Sequence, residues 1–209
     1  MAEEARRVIT VGGVGRVRRR PDEATVSVAV ERTAPGAAEA QTGTSQQMRH
    51  VMDALIARGI DQADLSTEAI SLEATYDYRE SGARLTGYRA NQSLRVRVRK
   101  LDELGPTIDA SVEAGASGIS GVALGIEDPA EAEDEARTLA VADARRRADQ
   151  MASAAGVTLG SLVSLSEGMD QGPRPMMHLR AESMAAGTPI AEGSTEVVME
   201  VQASFAIEG

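Results

Sequence analysis

Aromatic side chains are scarce in this chain of 209 residues, which has one phenylalanine, three tyrosines and no tryptophan. Aromatic residues normally bury the most surface per residue. Alanine, valine, leucine and isoleucine therefore carry most of the apolar content. A chain of this length buries roughly 70% of its unfolded surface when it folds, so it can form a core. We expect contacts between subunits to supply part of the stability that small side chains do not.

Cysteine is absent, and the only histidines are His50 and His178. Disulfides, thiolate nucleophiles and zinc–thiolate sites are therefore excluded. A serine triad or a zinc site is hard to assemble from two imidazoles, and no serine has the glycine spacing of a nucleophile elbow. Carboxylates are plentiful, but surfaces and helix starts explain them. We expect no catalytic residue, no cofactor and no metal, and predict that the protein is not an enzyme.

Negative charge dominates: the formal net charge is −10 at pH 7. Such a chain repels nucleic acids and anionic lipids, so no nucleic-acid partner is expected. No window approaches the length of an apolar membrane span, and the N-terminal residues MAEEARRVIT have no apolar signal-peptide segment. We expect a cytoplasmic protein as the sequence is written. The alternative is a periplasmic or extracellular protein whose leader has been removed.

The glycines at the N-terminal end lie in ITVGGVGRVRRRPDE, residues 9–23. A phosphate-binding loop requires a third glycine and a helix directly after it. Here Arg18 occupies the third glycine position, and the alternating segment ATVSVAVER follows. The stretch therefore predicts a β-hairpin with its turn at Pro21, in which the glycines permit a bulge or close packing.

Periodicity predicts a helix from about Ala37 to Arg58 that ends at Gly59, and a hairpin with its turn at ESGA, residues 80–83. A second helix follows Leu101, and the longest helix begins with Asp128 as N-cap and Pro129 at its first position. Shorter strands and a long alternating terminal strand complete the pattern. The sequence predicts a single α+β domain over residues 1–209, with an antiparallel, hairpin-built sheet packed against three helices.

Two sets of arginines stand out. Arg95, Arg97 and Arg99 alternate with valines and project from one sheet face, and a second run lies at residues 16–20. One interpretation is a basic surface for an anion. We favour a solvated or helix-covered face neutralised by carboxylates, with the acidic helix start at residues 131–135 as their candidate source. Subunit contacts are the alternative for the second run.

Methionines cluster in an irregular Gly- and Pro-rich loop, residues 168–189. Methionine is an adaptable residue at binding surfaces, so Met176, Met177, His178 and Met184 are candidate contacts for self-assembly or a partner. A cuprous site and a mobile loop without a specific role remain alternatives. Tyr76 and Tyr78 share one strand face, where they stabilise the sheet or line a groove.

The order of several segments carries a resemblance that extends over residues 6–208. These segments are PDEATVSVAVE, LSTEAISLEATYDY, GYRANQSLRVRV, ISGVALGIEDP, EDEARTLAVADARRRADQMA and GVTLGSLVSLSEG. Together they resemble the SIMPL-domain family of YggE-like proteins. The resemblance implies an α+β fold, a large ring-like homo-oligomer, no established catalytic residues, frequent export and a link to the stress response. A small-ligand-binding or signalling adaptor module is the alternative function.

Overall fold

The computed structural model describes residues 7–79, 82–168, 190 and 193–208. These residues form three α-helices and seven strands in two antiparallel sheets, which confirms the α+β class. The elements are β1 (Val8–Arg19), β2 (Glu23–Ala34), α1 (Ala37–Ala57), β3 (Leu65–Arg79), β4 (Gly82–Val98), α2 (Leu104–Glu113), β5 (Gly118–Gly125), α3 (Ala130–Ala155), β6 (Thr158–Glu167) and β7 (Thr195–Glu208).

The contacts divide the chain into two compact units. The first contains α3 and a sheet with the strand order β1-β7-β6, and the second contains α1, α2 and a sheet with the order β3-β4-β2-β5. The predicted hairpin of β1 and β2 is wrong, because β1 pairs with β7 from Val8 opposite Ala206 to Arg19 opposite Thr195. The apolar faces explain this: β1 has glycines that fit an alanine helix, whereas the valines of β2 fit the larger side chains of α1.

In the second unit, β2 alternates as predicted, and its valines lie on one buried face against α1. The helix predicted from Ala37 to Arg58 is confirmed, since α1 spans Ala37–Ala57. Its three- and four-residue spacing buries Met48, Val51 and Leu55 over the sheet. The fully enclosed members of this core are Ala24, Val26, Val28, Val30, Met48, Val51, Leu55, Leu94, Val96, Val98 and Leu104.

The first unit depends on close contact between α3 and β1. Every fourth residue along one side of α3 is a buried alanine, at positions 132, 136, 140, 144, 148 and 152. Gly13 and Gly15 face this row. A Cβ atom on Gly13 would overlap the carbonyl oxygen of Ala140, and one on Gly15 would overlap that of Ala136. The helix can therefore lie this close to the strand only because neither position has a side chain.

Asp143 of α3 caps one backbone N–H on the outer edge of β1. The backbone N–H of Val14 donates to Asp143 Oδ2 over 3.1 Å, although β1 has a neighbouring strand only on its β7 side. Arg147 Nε lies 2.8 Å from the same oxygen, and Arg146 bonds the other one. The Val14 hydrogen bond and then these guanidiniums lower the pKa of Asp143. An edge N–H that another strand would otherwise bond is thereby satisfied.

Substitution of Gly15 tests the glycine contact. Gly15→Ala should lower the free energy of unfolding by about 3 kcal/mol, because the new methyl group forces the helix away from the strand. Gly12→Ala is the matched control, since a Cβ there meets nothing closer than Val201 O at 3.9 Å. Urea denaturation measures both. Equal stability of the two variants would contradict the proposed close contact.

The pH dependence of stability tests the Asp143 cap. A carboxyl whose pKa is lower in the folded state stabilises the fold above its unfolded pKa, and that contribution disappears as the pH falls through the folded value. Asp143→Asn should therefore cost about 1.5 kcal/mol at neutral pH, and the difference from the unmodified protein should shrink below the ordinary aspartate pKa of 3.8. Asp149→Asn, an exposed position on the same helix, is the control. A difference that does not change with pH would count against the cap.

Candidate functional site

The residues predicted to make assembly contacts, Met176, Met177, His178 and Met184, lie outside the described residues. Their role stays a prediction. The other histidine, His50, is exposed on α1. The candidate sites within the described residues are therefore the two arginine sets, the surface beside the β1 glycines and the outer strands of the sheets.

The arginines at residues 95, 97 and 99, in β4 and directly after it, are ion-paired, as predicted. Arg95 Nη2 lies 2.6 Å from Glu68 Oε1, and Glu68 also accepts a hydrogen bond from Ser27. Arg97 Nε donates to Glu23 Oε2 over 2.6 Å. The source of the carboxylates differs from the prediction: they come from the second unit itself, whereas the acidic helix start at residues 131–135 belongs to the first.

Arg99 and Asp64 form the most enclosed of these pairs. The guanidinium donates to both carboxylate oxygens, over 2.8 and 2.9 Å, and the Asp64 side chain is 5% exposed. The hydrogen bonds from Arg99 lower the pKa of Asp64 against the opposing effect of burial, and Asp64 raises the pKa of Arg99. Glu127 also contacts Arg99. Carboxylates of the same unit thus balance the positive charge of Arg95, Arg97 and Arg99, and these ion pairs stabilise the fold.

The second arginine set is also paired within its own unit. Arg16 Nη1 and Arg18 Nε lie 3.0 and 3.3 Å from the oxygens of Glu196 on β7. These hydrogen bonds, led by that of Arg16, lower the pKa of Glu196. Arg19 pairs with Glu135 at the acidic start of α3. Glu196 was not identified from the sequence, since its role depends on the pairing of β1 with β7.

The glycine segment does not form a phosphate loop, because it lies under α3 and another strand follows it. Beside it is an open depression of about 490 Å³. Its lining residues are Thr10, Val11, Gly12, Arg147, Gln150, Met151 and Ala154. Arg147, its only charged residue, is already paired with Asp143. Within the described ranges, no three histidine or acidic side chains cluster as metal ligands, and no helix is long and apolar enough to cross a membrane.

The outer strand β3 carries an apolar stripe with large exposed fractions. Ile70, Leu72, Tyr76 and Tyr78 are 58%, 44%, 49% and 80% exposed. All four alternate along β3, so they share one face, and we call them the β3 stripe. The tyrosine ring centroids are 6.3 Å apart, so the two predicted neighbours do contact each other. An alternating strand normally buries its apolar face. The sequence alternation of β3 does not reveal that its apolar face is exposed.

The edge strand β6 carries a second apolar surface. Leu162, Val163 and Leu165 are 47%, 39% and 46% exposed, and we call them the β6 patch. Val163 is an extra residue between Leu162, opposite Phe205, and Ser164, opposite Ser204. The remaining edge strands differ from β3 and β6: α3 packs against β1 and Asp143 bonds one of its edge N–H groups, and β5 is eight residues long with a left-handed Gly121 where its register shifts.

Comparison with known proteins identifies the family. Residues 9–205 match the SIMPL family, described as a protein of unknown function (DUF541). A 26 kDa periplasmic immunogenic protein of Brucella melitensis is 35% identical over 212 residues, which cover 96% of this chain and 84% of that protein. The uncharacterized protein YggE of Edwardsiella ictaluri is 33% identical, covering 75% of this chain and 66% of its own. YggE of Escherichia coli K12 is 29% identical, with coverages of 82% and 70%. The chain therefore belongs to the SIMPL family.

Proposed function

We propose that this protein is a non-enzymatic subunit that assembles with copies of itself into a ring-like homo-oligomer. The observation that carries the proposal is the β3 stripe, a row of four exposed apolar side chains on an outer strand of the second unit. Contiguous apolar surface on an exposed edge strand is typical of association sites.

The size of the stripe fits an association surface. Complete burial of one such side chain is worth about 1.5–3 kcal/mol, whereas association costs about 4–15 kcal/mol in lost freedom. One or two side chains reach at most the lower end of that cost. With the four side chains of the β3 stripe and an apolar surface on the partner, the free energy gained by burial is in the same range as the cost of association.

The non-enzymatic part of the proposal is supported by how the charged groups are used. The guanidiniums of Arg95, Arg97 and Arg99 bond carboxylates of the same unit, and Arg16 and Arg18 share Glu196. Each of these contacts supports packing or strand pairing. The alternative, a small-ligand-binding or signalling module, would use the depression beside α3.

A periplasmic location is part of the proposal. The Brucella relative, which covers nearly the whole chain, is named as periplasmic, and this supports the periplasmic alternative over the cytoplasmic location expected from the sequence as written. The absence of cysteine is compatible with either compartment. The link to the stress response, implied by the family resemblance alone, stays a prediction.

Light scattering on a size-exclusion column tests the assembly. The unmodified protein should elute at a discrete mass of many subunits that persists on dilution, against 21.9 kDa for one chain. Ile70→Lys combined with Leu72→Lys should reduce the mass to that of one chain. Replacement of two exposed apolar side chains by lysines weakens each contact by about 100-fold.

The control replaces Val112 and Val122 by lysine, because these valines are 55% and 43% exposed on α2 and β5 and lie outside the β3 stripe. It adds the same charge and should leave the assembly intact. Circular dichroism checks that both double variants are folded. A single-chain mass for the unmodified protein would contradict self-assembly, and a screen for bound small molecules would then test the depression.

A further inference from the structure

We infer that the groove between β1 and the C-terminal half of α3 binds an extended peptide that carries a carboxylate. The peptide adds as a strand to the outer edge of β1, and its carboxylate contacts Arg147 of α3. All the groups that line this groove belong to the first unit of the chain. The inference assigns a binding function beyond the proposed self-assembly and does not depend on it.

The outer edge of β1 has backbone groups that another strand can bond. Backbone groups of an antiparallel strand point alternately to its two sides. The carbonyl of Arg7 points to β7, whereas the N–H of Val14 points to the outer side. The even-numbered residues of β1 therefore direct their backbone groups outwards. No described residue bonds those of Val8, Thr10 and Gly12, and we call these three residues the open edge.

The open edge is regular and uncharged, which suits strand addition. β1 pairs with β7 over its whole length without a register shift, whereas the pairings of β3, β5 and β6 each contain at least one. No charged residue lies between Val8 and Gly15, although exposed edges are usually protected by charges, prolines or bulges. The Asp143 cap at Val14 ends the open edge. An added strand of about five residues, roughly 17 Å long, fits beside it.

One flank of α3 lies along the open edge and forms the groove with it. Arg147, Gln150, Met151 and Ala154 line the depression of about 490 Å³ together with residues 10–12 of β1. This volume lies within the range of about 300–1,000 Å³ that is usual for ligand sites. Met151 is 52% exposed, and methionine adapts to varied partners. Strand addition provides main-chain hydrogen bonds and places alternate side chains in such a groove.

The charge of the flank selects a peptide with a carboxylate. Arg146 and Arg147 bond the two oxygens of a single carboxylate, that of Asp143. One carboxylate balances one guanidinium, so this flank keeps an excess of positive charge although the whole chain carries −10. The Arg147 side chain lines the groove and is 46% exposed. A carboxylate on the peptide balances the excess through a charge-assisted hydrogen bond, which is stronger than a neutral one.

Pairing of two copies through their open edges does not meet this requirement. The β1 strand, Val8–Arg19, contains three arginines and no acidic residue, so a second β1 would bring no carboxylate. A symmetric pairing would also bring the arginines of both α3 flanks to the same groove, where like charges repel. A peptide with an acidic residue avoids both problems.

Selection from random heptapeptides displayed on phage tests the inference. The unmodified protein should enrich sequences that have β-branched residues at alternate positions and an aspartate or glutamate. A synthetic peptide of the enriched sequence should bind one per chain in isothermal titration calorimetry. Replacing its acidic residue by the corresponding amide should weaken binding about 10-fold.

The partner of the acidic residue is tested on α3. Arg147→Gln should weaken binding of the acidic peptide about 10-fold and should have no further effect on the amide peptide. Arg145→Gln is the matched control, because it removes the same charge from another side of the helix. It should leave the affinity for both peptides unchanged.

The main-chain hydrogen bonds are tested at Gly12. Gly12→Pro removes the N–H and places the ring on the open edge, so it should abolish binding. Gly12→Ala is the control, since it keeps the N–H and its Cβ meets nothing closer than Val201 O at 3.9 Å. Should Gly12→Pro unfold the protein, hydrogen–deuterium exchange of the unmodified protein replaces it. Bound peptide should slow exchange at Thr10 and Gly12 but not at Val14, which is already bonded.

Several results would overturn the inference. They are the enrichment of no peptide, enrichment of peptides without acidic residues, and binding that survives Gly12→Pro or leaves the amides of the open edge unprotected. A lower mass of Gly12→Pro than of the unmodified protein in light scattering would show that a second copy occupies the edge. These variants do not alter the β3 stripe. Peptide binding by a protein with the mass of one chain would therefore support the inference while the proposed function failed.

Discussion

The contact between the glycines of β1 and the alanines of α3 determines the structure of the first unit. Gly13 and Gly15 leave the strand without side chains at the point where Ala136, Ala140 and Ala144 approach it. Since the helix lies against the strand backbone, Asp143 reaches the N–H of Val14 on the outer edge of β1. The close approach therefore both builds this small core and satisfies one backbone group of this edge. The apolar surface that remains on this sheet is at β6.

The core of the second unit is packed differently, since valines, leucines and methionines fill the space between α1 and the sheet. The polar face of that sheet is held by ion pairs, and the most enclosed joins Arg99 to Asp64. Charged side chains are thus used inside the unit, while Ile70, Leu72, Tyr76 and Tyr78 remain exposed on β3. Such a surface is costly to leave in water, and the proposed self-assembly rests on it.

Local features were predictable from the sequence because they depend on neighbouring residues. The helix at residues 37–58 and the antiparallel pairing of β3 with β4 follow from periodicity and turn residues. The predicted start of α3 is one residue early: Pro129 and not Asp128 is the N-cap, and Asp128 accepts a hydrogen bond from the N–H of Ala130. The pairing of β1 with β7 and the division into two sheets depend on which faces fit each other across nearly the whole chain. Pro21 and Asp22 are typical turn residues, so they predict a hairpin of β1 with β2. No local pattern indicates that β1 pairs with the distant β7. The β3 stripe was missed for a related reason: alternation shows that a strand has an apolar face but not what covers it.

Hydrogen–deuterium exchange of the assembled protein tests the central claim most directly, since it locates the surfaces that other copies cover. The account predicts that backbone amides of β3 around Ile70 exchange more slowly in the assembly than in the lysine-substituted single chains. Amides of β5 should exchange at the same rate in both states. Equal exchange of β3 in the two states, with new protection elsewhere, would contradict the account.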